Sequence, residues 1–337
     1  MKKVLSIVLA LVLVLGVAAC GTTPTEPEDT KTSEEQQSGE TEGTASYKVG
    51  ICQLVQHVAL DAATQGFIDA LNALLPGQVE IDNQNASGEP TNCTTIVGKF
   101  VGDKVDLIMA NATPALQAAK EATDTIPVLG TSITAYNVAL DDESITTCVG
   151  TNVSGTSDLA SFEDTVAVCK EWFPEAKKVG ILYCSAEANS QYQVDMMSEG
   201  LKKEGYEVTP YAFSDTNDLA TICQKACDES DFLYIPTDNT AAANTEAIAN
   251  IAVPAKTPII AGEEGITSGC GVATLSISYY DLGYKTGEMA AAILKGEADV
   301  KTMEIGYAPT TKKYNKDMCE KYGLTAPEGY EAIKVAD

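Results

Sequence analysis

The chain has 337 residues, with 48 Asp and Glu against 22 basic residues, all of them Lys, for a formal charge of −26. That balance excludes nucleic acid as a partner, since a phosphate backbone is held by clustered cations, and any bound anion must be held without a guanidinium fork. A hydrophobic fraction of 45% supports a sizeable core in one large or two medium units and excludes disorder throughout.

In chain order, a short basic head (Met1, Lys2, Lys3) precedes an apolar run from Val4 to Val17 broken only by Ser6 and Gly16. Such a run has the length of a secretory signal and falls short of the roughly 20 residues of a spanning helix. It ends in Val17-Ala18-Ala19-Cys20-Gly21, which resembles the lipobox of bacterial lipoproteins; the alternative is an ordinary signal with an incidental cysteine. Residues 1–19 are accordingly expected to be a lipoprotein signal peptide and Cys20 the lipidated residue, with 20–46 an acidic tether too polar to order itself. Two acyl chains give a stable hold on a membrane. The acidic body would otherwise stay off anionic lipid, so the anchor is its only membrane contact.

The body repeats itself. Lys48-Val49-Gly50-Ile51 recurs as Lys178-Val179-Gly180-Ile181. Asp106-Leu107-Ile108-Met109-Ala110 is answered by Asp231-Phe232-Leu233-Tyr234-Ile235, and Ile126-Pro127-Val128-Leu129-Gly130 by Thr257-Pro258-Ile259-Ile260-Ala261. Short apolar runs of this kind read as strands buried on both faces. The stretches between them read as helices: Leu60–Leu74 carries an apolar stripe of Ala63, Phe67, Ala70, Leu71 and Leu74, and Gln191–Lys203 one of Val194, Met197 and Leu201. Alternation of this kind predicts an α/β fold of two lobes, each a parallel sheet flanked by helices. A further strand at Gly271–Leu275 and a helix at Asp281–Leu294 suggest a return to the first lobe. The expected division is 47–152 plus 275–303 for lobe 1 and 153–274 plus 304–337 for lobe 2, which Asp158–Phe173 opens as a helix.

Ligands of open parallel sheets lie beyond the carboxyl ends of the strands. Those ends are polar here: Gln53 to His57, Asn111 to Pro114 and Thr131-Ser132 in lobe 1, and Ser185 to Ser190, Thr237 to Thr240 and Glu263 to Gly265 in lobe 2. Facing rows of hydroxyls, amides and carboxylates describe a cleft for a small polar molecule.

The segments QLVQHVALD (Gln53–Asp61), QGFID (Gln65–Asp69), ATPA (Ala112–Ala115), GILYCSAEANS (Gly180–Ser190), PTDN (Pro236–Asn239) and GEEG (Gly262–Gly265) resemble ABC-transporter solute-binding lipoproteins assigned to tryptophan and tyrosine uptake, over roughly residues 47–325. Similar proteins often carry proline after the histidine, where this chain has Val58. The resemblance implies a type I periplasmic-binding-protein fold whose lobes close on one aromatic amino acid, with an ABC permease and its ATPase as partners. An adhesin or interaction protein, and a binder of another solute such as a branched-chain amino acid, remain the alternatives. A monomer is expected.

A zwitterion needs an anion site and a cation site close together. Without arginine, the α-carboxylate would rest on N–H groups and hydroxyls at helix N-termini, where Thr113 and Asn189-Ser190 are the candidates and N-capping is the alternative role. Asp238 is the first candidate for the ammonium and Glu264 the second; a cap is again the alternative for Asp238. Gln53 and His57 are candidates for the ligand side chain, His57 as a neutral imidazole packed on a ring or bonded to a phenol hydroxyl, or else as a surface histidine. Asn111, Thr131, Ser132, Thr237 and Asn239 complete the expected lining. Trp172 is expected to be packing. Tyr136, Tyr183, Tyr192 and Tyr279 lie near strand ends.

No catalytic group, metal site or other cofactor is expected. His57 is the only histidine and no Cys-x-x-Cys pair exists. Cys52 or Cys184 with His57 would lack an orienting carboxylate. The nine cysteines other than Cys20 are expected mainly as free thiols, a disulfide being the alternative, and Cys223 and Cys227 lie one helical turn apart.

Overall fold

A computed structural model of the protein describes residues 46–334, so the signal peptide, Cys20 and the tether up to residue 45 lie outside the described residues. The first half builds β1 (Tyr47–Gln53), α1 (Val58–Leu74), β2 (Val79–Asn85), α2 (Pro90–Asp103), β3 (Leu107–Asn111), α3 (Thr113–Ala122), β4 (Val128–Ile133), a short α4 (Tyr136–Ala139) and β5 (Val153–Ser157). The second builds α5 (Phe162–Trp172), β6 (Lys178–Cys184), α6 (Ala188–Lys203), β7 (Glu207–Phe213), α7 (Thr216–Glu229), β8 (Phe232–Ile235), α8 (Asn239–Ala242), α9 (Thr245–Ala255), β9 (Ile259–Ala261), α10 (Glu264–Gly269) and β10 (Ala273–Ile277). The chain ends with α11 (Tyr279–Leu294), β11 (Gly306–Tyr307), β12 (Thr310–Tyr314), α12 (Lys316–Tyr322) and β13 (Glu331–Ala332).

The strand orders are β11-β5-β4-β3-β1-β2 and β13-β12-β10-β9-β8-β6-β7. Without the late strands β11, β12 and β13, the two sheets have one order, and only the β10–β12 pairing is antiparallel. The repeat extends to single hydrogen bonds. Asp106 accepts the N–H of Lys48, and Asp231 those of Lys177 and Lys178, so in each lobe the acid before the third strand fixes the start of the first. The helices form where their apolar stripes meet a sheet: Ala63, Phe67, Ala70 and Leu71 of α1 are buried, as are Val194, Met197 and Leu201 of α6. Leu74, expected in the α1 stripe, is 38% exposed at the fraying last turn.

The lobe boundaries differ from the expected ones. β5 and β11 belong to the first sheet and β10 to the second. Lobe 1 therefore comprises 47–157 and 279–307, and lobe 2 comprises 162–277 and 310–334, with crossings at 158–161, 278 and 308–309. The reason is that each fifth strand completes its own sheet before the chain leaves. The helix after it packs on the other lobe, α5 against α6 and β10, α11 against α1, β4 and β5. Asp158 consequently lies in a crossing and not in a helix; α5 starts after Ser161, whose hydroxyl caps it by accepting the Asp164 N–H.

Trp172 is packed edge-on against Tyr330, as expected of a core residue. All nine cysteines in the described region are free thiols and all but Cys148 are buried. Among the described residues no helix is long and apolar enough to cross a membrane, and no group of three or more His, Cys, Asp or Glu side chains is placed to hold a metal ion.

The α1–α11 contact depends on glycine. A Cβ on Gly283 would fall on the Ala63 carbonyl, and one on Gly66 on the Tyr280 carbonyl, both backbone atoms that cannot step aside. Gly283→Ala should therefore destabilise by about 1–3 kcal/mol or more. Gly102→Ala, in α2 with open space around it, should instead stabilise by about 0.4–1 kcal/mol. Thermal melts of the two variants check the pair, and equal melting temperatures would contradict the close approach.

Candidate functional site

The carboxyl ends of both sheets face a small cavity between the lobes, about 10 Å³, room for about one water. Lobe 1 contributes His57 and Leu60 from the start of α1, and Ser132 and Thr134 from the end of β4. Lobe 2 contributes Asn189 in the first turn of α6, Thr237, Asp238, Asn239 and Ala242 after β8, and Glu263 after β9. Asp158 and Tyr279 enter from the two crossings that flank the cavity.

Three carboxylates and no lysine line this space. Two of the three are tied to backbone. Asp238 accepts the N–H of Ala241 at 2.8 Å and of Cys184 at 2.6 Å, capping α8 and pinning the end of β6; burial, followed by the nearby Glu187, pushes it up to about 8. Glu263 caps α10 by accepting the N–H groups of Gly265 and Ile266, and burial pushes it up to about 7. Asp158 differs. Its Oδ2 accepts the Tyr279 hydroxyl at 2.7 Å, while its Oδ1 is buried with no protein partner, and burial raises its pKa.

Four of the eight buried side-chain polar atoms that lack a protein partner among the described residues line this one cavity: His57 Nδ1, Ser132 Oγ, Asp158 Oδ1 and Asn189 Oδ1. Native proteins leave few such atoms unpaired. Clustered around one void, they mark groups that a ligand would satisfy.

Two side-chain hydrogen bonds join the lobes across the cavity. Thr134 Oγ1 and Thr237 Oγ1 lie 3.3 Å apart, and His57 Nε2 lies 3.4 Å from Asn239 Oδ1. Their lobe 2 partners are braced from behind. Gln193 donates to Thr237 Oγ1 and accepts its N–H, and Glu187 accepts both the backbone N–H and the Nδ2 of Asn239.

Of the expected residues, His57, Ser132, Asn189, Thr237, Asp238 and Asn239 line the cavity, and the other six do not. Gln53 is occupied inside lobe 1, donating to Val55 O and Asp61 and accepting from Thr64. Asn111 turns behind it, donating to Leu60 O and Thr64. Thr131 belongs to a buried hydroxyl chain through Thr156 to Thr286. Thr113 is buried in the first turn of α3 behind Ala112, and Ser190 is fully buried beneath Asn189. Glu264 faces outward to an ion pair with Lys313 at 2.5 Å, so the inward acid is its neighbour Glu263. Of the four tyrosines near strand ends, Tyr279 alone lines the cavity. Thr134, Asp158 and Glu263 were not among the expected residues, and Tyr279 was named only as one of four tyrosines near strand ends; for the other three the sequence signal was the adjacent pair Glu263-Glu264. Neither candidate nucleophile is poised to react: Cys52 is fully buried, and burial pushes the Cys184 thiol up to about 11.

Comparison with known proteins places this geometry. The family described as ABC transporter substrate binding protein matches residues 48–333. A "Tyrosine-binding protein" of Clostridioides difficile (strain R20291) is 38% identical over 313 residues, 92% of this chain and 87% of that protein. A Streptococcus pneumonia ABC domain in complex with L-Trp superposes with a TM-score of 0.81 at 30% identity, over 86% of this chain and all of that one. The ligand-free, open structure of CD0873 from Clostridium difficile, a substrate binding protein with adhesive properties, gives 0.66 at 37% identity over the same shares. The architecture is the type I periplasmic-binding-protein fold.

The buried acids make stability depend on pH. Below the ordinary carboxylate range, folded and unfolded chains both hold the protons of Glu263 and Asp238. As pH rises the unfolded chain releases them first, so their contribution is lost through the folded values near 7 and 8. The melting temperature of the ligand-free protein should fall between about pH 5.5 and about pH 8.5, and Glu263→Gln should flatten the slope. Calorimetric melts across that range check this; a melting temperature that climbs throughout would contradict it.

Proposed function

The chain belongs to the ABC transporter substrate-binding protein family, and from this we propose that it is the extracytoplasmic solute-binding component of an ABC importer, closing its lobes on tyrosine, tryptophan or phenylalanine. The observation that carries the reading is the set of unpartnered atoms around the cavity. Asp158 Oδ1 and Asn189 Oδ1 can only accept, the complement of an ammonium with its three N–H donors. Ser132 Oγ, with Thr134 beside it, can donate to a carboxylate. One α-amino acid supplies both halves.

In this reading Asp158, and not Asp238, holds the ammonium, because Asp238 has both oxygens on backbone N–H groups. The carboxylate rests on hydroxyls without an ion pair, in keeping with a chain that has no arginine. Leu60, Ala242 and the Tyr279 ring supply apolar wall for a side chain. The relatives named for tyrosine and solved with L-Trp support an aromatic one. The permease and its ATPase are the partners, and Cys20 carries the lipid that anchors a monomeric body to the outside of the cell membrane.

Thermal shift against the twenty amino acids tests the reading, since a ligand at about 100 times its Kd stabilises by about 2.7 kcal/mol. At least one of Tyr, Trp and Phe should raise the melting temperature; no response to any of them, or a response confined to leucine, isoleucine and valine, sets the reading aside. Asp158→Asn should weaken the responding amino acid tenfold or more, about 1.4 kcal/mol, without lowering the melting temperature of the free protein. Asp238→Asn keeps one acceptor oxygen but leaves the N–H of Ala241 or of Cys184 unpaired, and should lower that temperature by an amount equivalent to about 1–3 kcal/mol.

A further inference from the structure

We propose that His57 selects among aromatic amino acids by accepting at Nδ1 a hydrogen bond from the ligand ring, so that the pocket takes a phenol hydroxyl or an indole N–H and disfavours the bare phenyl ring. This rests on the aromatic amino-acid reading above and assigns the residue that discriminates within it.

Glu187 sets the orientation of Asn239, the residue that His57 meets. Its Oε1 takes the backbone N–H and the hydroxyl of Thr240, both at 2.8 Å, and its Oε2 takes the Asn239 backbone N–H at 3.0 Å and the Asn239 Nδ2 at 2.7 Å. A carboxylate surrounded by donors is an acceptor, so the end of the Asn239 amide that meets it is the NH2 group. The oxygen end of that amide is thereby turned to His57, with Oδ1 3.4 Å from Nε2. An amide oxygen cannot donate, so the imidazole proton lies on Nε2. Burial holds the His57 pKa below its usual value, so the ring stays neutral, and a neutral ring protonated at Nε2 presents a lone pair at Nδ1. That nitrogen is shielded from solvent, has no protein partner and belongs to a residue of the cavity wall.

A shielded lone pair is unfavourable until a donor meets it. The ammonium is met by Asp158 and Asn189, which leaves Nδ1 for a donor on the side chain. Tyrosine and tryptophan each carry one on the ring and phenylalanine carries none. A site built to bond such a group rejects an analogue lacking it far more strongly than a purely apolar pocket does.

Calorimetric titration of the wild type, His57→Gln and His57→Asn with L-Tyr, L-Trp and L-Phe tests this. Gln can keep an N–H near the Nε2 position, and so the Asn239 contact, while removing the acceptor. Asn places an amide oxygen near the Nδ1 position and gives up the contact. The wild type should bind Tyr or Trp at least tenfold tighter than Phe, about 1.4 kcal/mol. His57→Gln should bring that ligand down towards Phe with Phe little changed, and His57→Asn should weaken all three while keeping the order. Equal affinity of the wild type for all three overturns the proposal, as does an equal loss for all three in His57→Gln, which would put Nδ1 on the shared amino-acid part. Failure of the wild type to bind any of the three is a different result: it removes the aromatic amino-acid reading and this proposal with it. Melting temperatures of both variants control for folding.

Discussion

The carboxylate of Asp158 is half satisfied, and the behaviour of the two lobes follows from that. It sits in the first crossing between the lobes, and the hydroxyl that fills its Oδ2 comes from Tyr279, just past the second. Its backbone N–H is tied to Ile133 O at the end of β4. The group is thus held at the pivot by both strands of the connection. Its other oxygen has no protein partner, and a buried polar atom left without one is unfavourable by about 1–3 kcal/mol. Opening the lobes would return that oxygen to water; closing them around a cation would pair it. Under the proposed function, closure without a ligand leaves that oxygen unpaired, and a bound ammonium would pair it.

The remaining acids of the site act on the protein before they act on any ligand. Asp238, Glu263 and Glu187 each gather two or more donors from the loops at the carboxyl edge of the second sheet. These loops would otherwise present bare N–H groups to the cavity. With that edge fixed, lobe 2 offers acceptors at set positions, while lobe 1 offers the hydroxyls of Ser132 and Thr134. The halves of the site are therefore chemically unlike even though the sheets behind them repeat. The duplication supplies the scaffold, and the difference in the loops supplies the polarity that suits a zwitterion.

The repeat was legible because its signal is local. Lys48–Ile51 and Lys178–Ile181 lie in the equivalent first strands of the two sheets, each one in from the edge, and Asp106 and Asp231 just precede the third strands while holding the first. Which sheet a fifth strand joins was not legible, since neither VSGTS in β5 nor ATLSI in β10 carries a mark of its neighbours; the pairing with β4 and with β9 assigns them. The strand-end rule found the right loops but could not say which side chain in each turns inward. Glu263 and Glu264 differ in role because α10 begins between them, leaving one as the cap and sending the other to Lys313 on β12. Gln53 and Asn111 were plausible lining residues whose partners, Asp61, Thr64 and Leu60, all come from α1. Asp158 gave no signal because its role depends on Tyr279, 121 positions further along.

Few side-chain hydrogen bonds span the cavity between the lobes. The side-chain hydrogen bonds that span the cavity, Thr134 to Thr237 and His57 to Asn239, are long at 3.3 and 3.4 Å, and a typical hydrogen bond of this kind contributes a net ~0.5–1.5 kcal/mol. Under the proposed function a ligand would act on both sides at once, pairing the carboxyl group at the pivot and adding its own bonds to each lobe, and its differential affinity for the closed form would shift the population. A weak intrinsic latch is also what a carrier needs. Lobes that stayed shut by their own contacts would keep the solute, whereas lobes held by the solute reopen once it is drawn away.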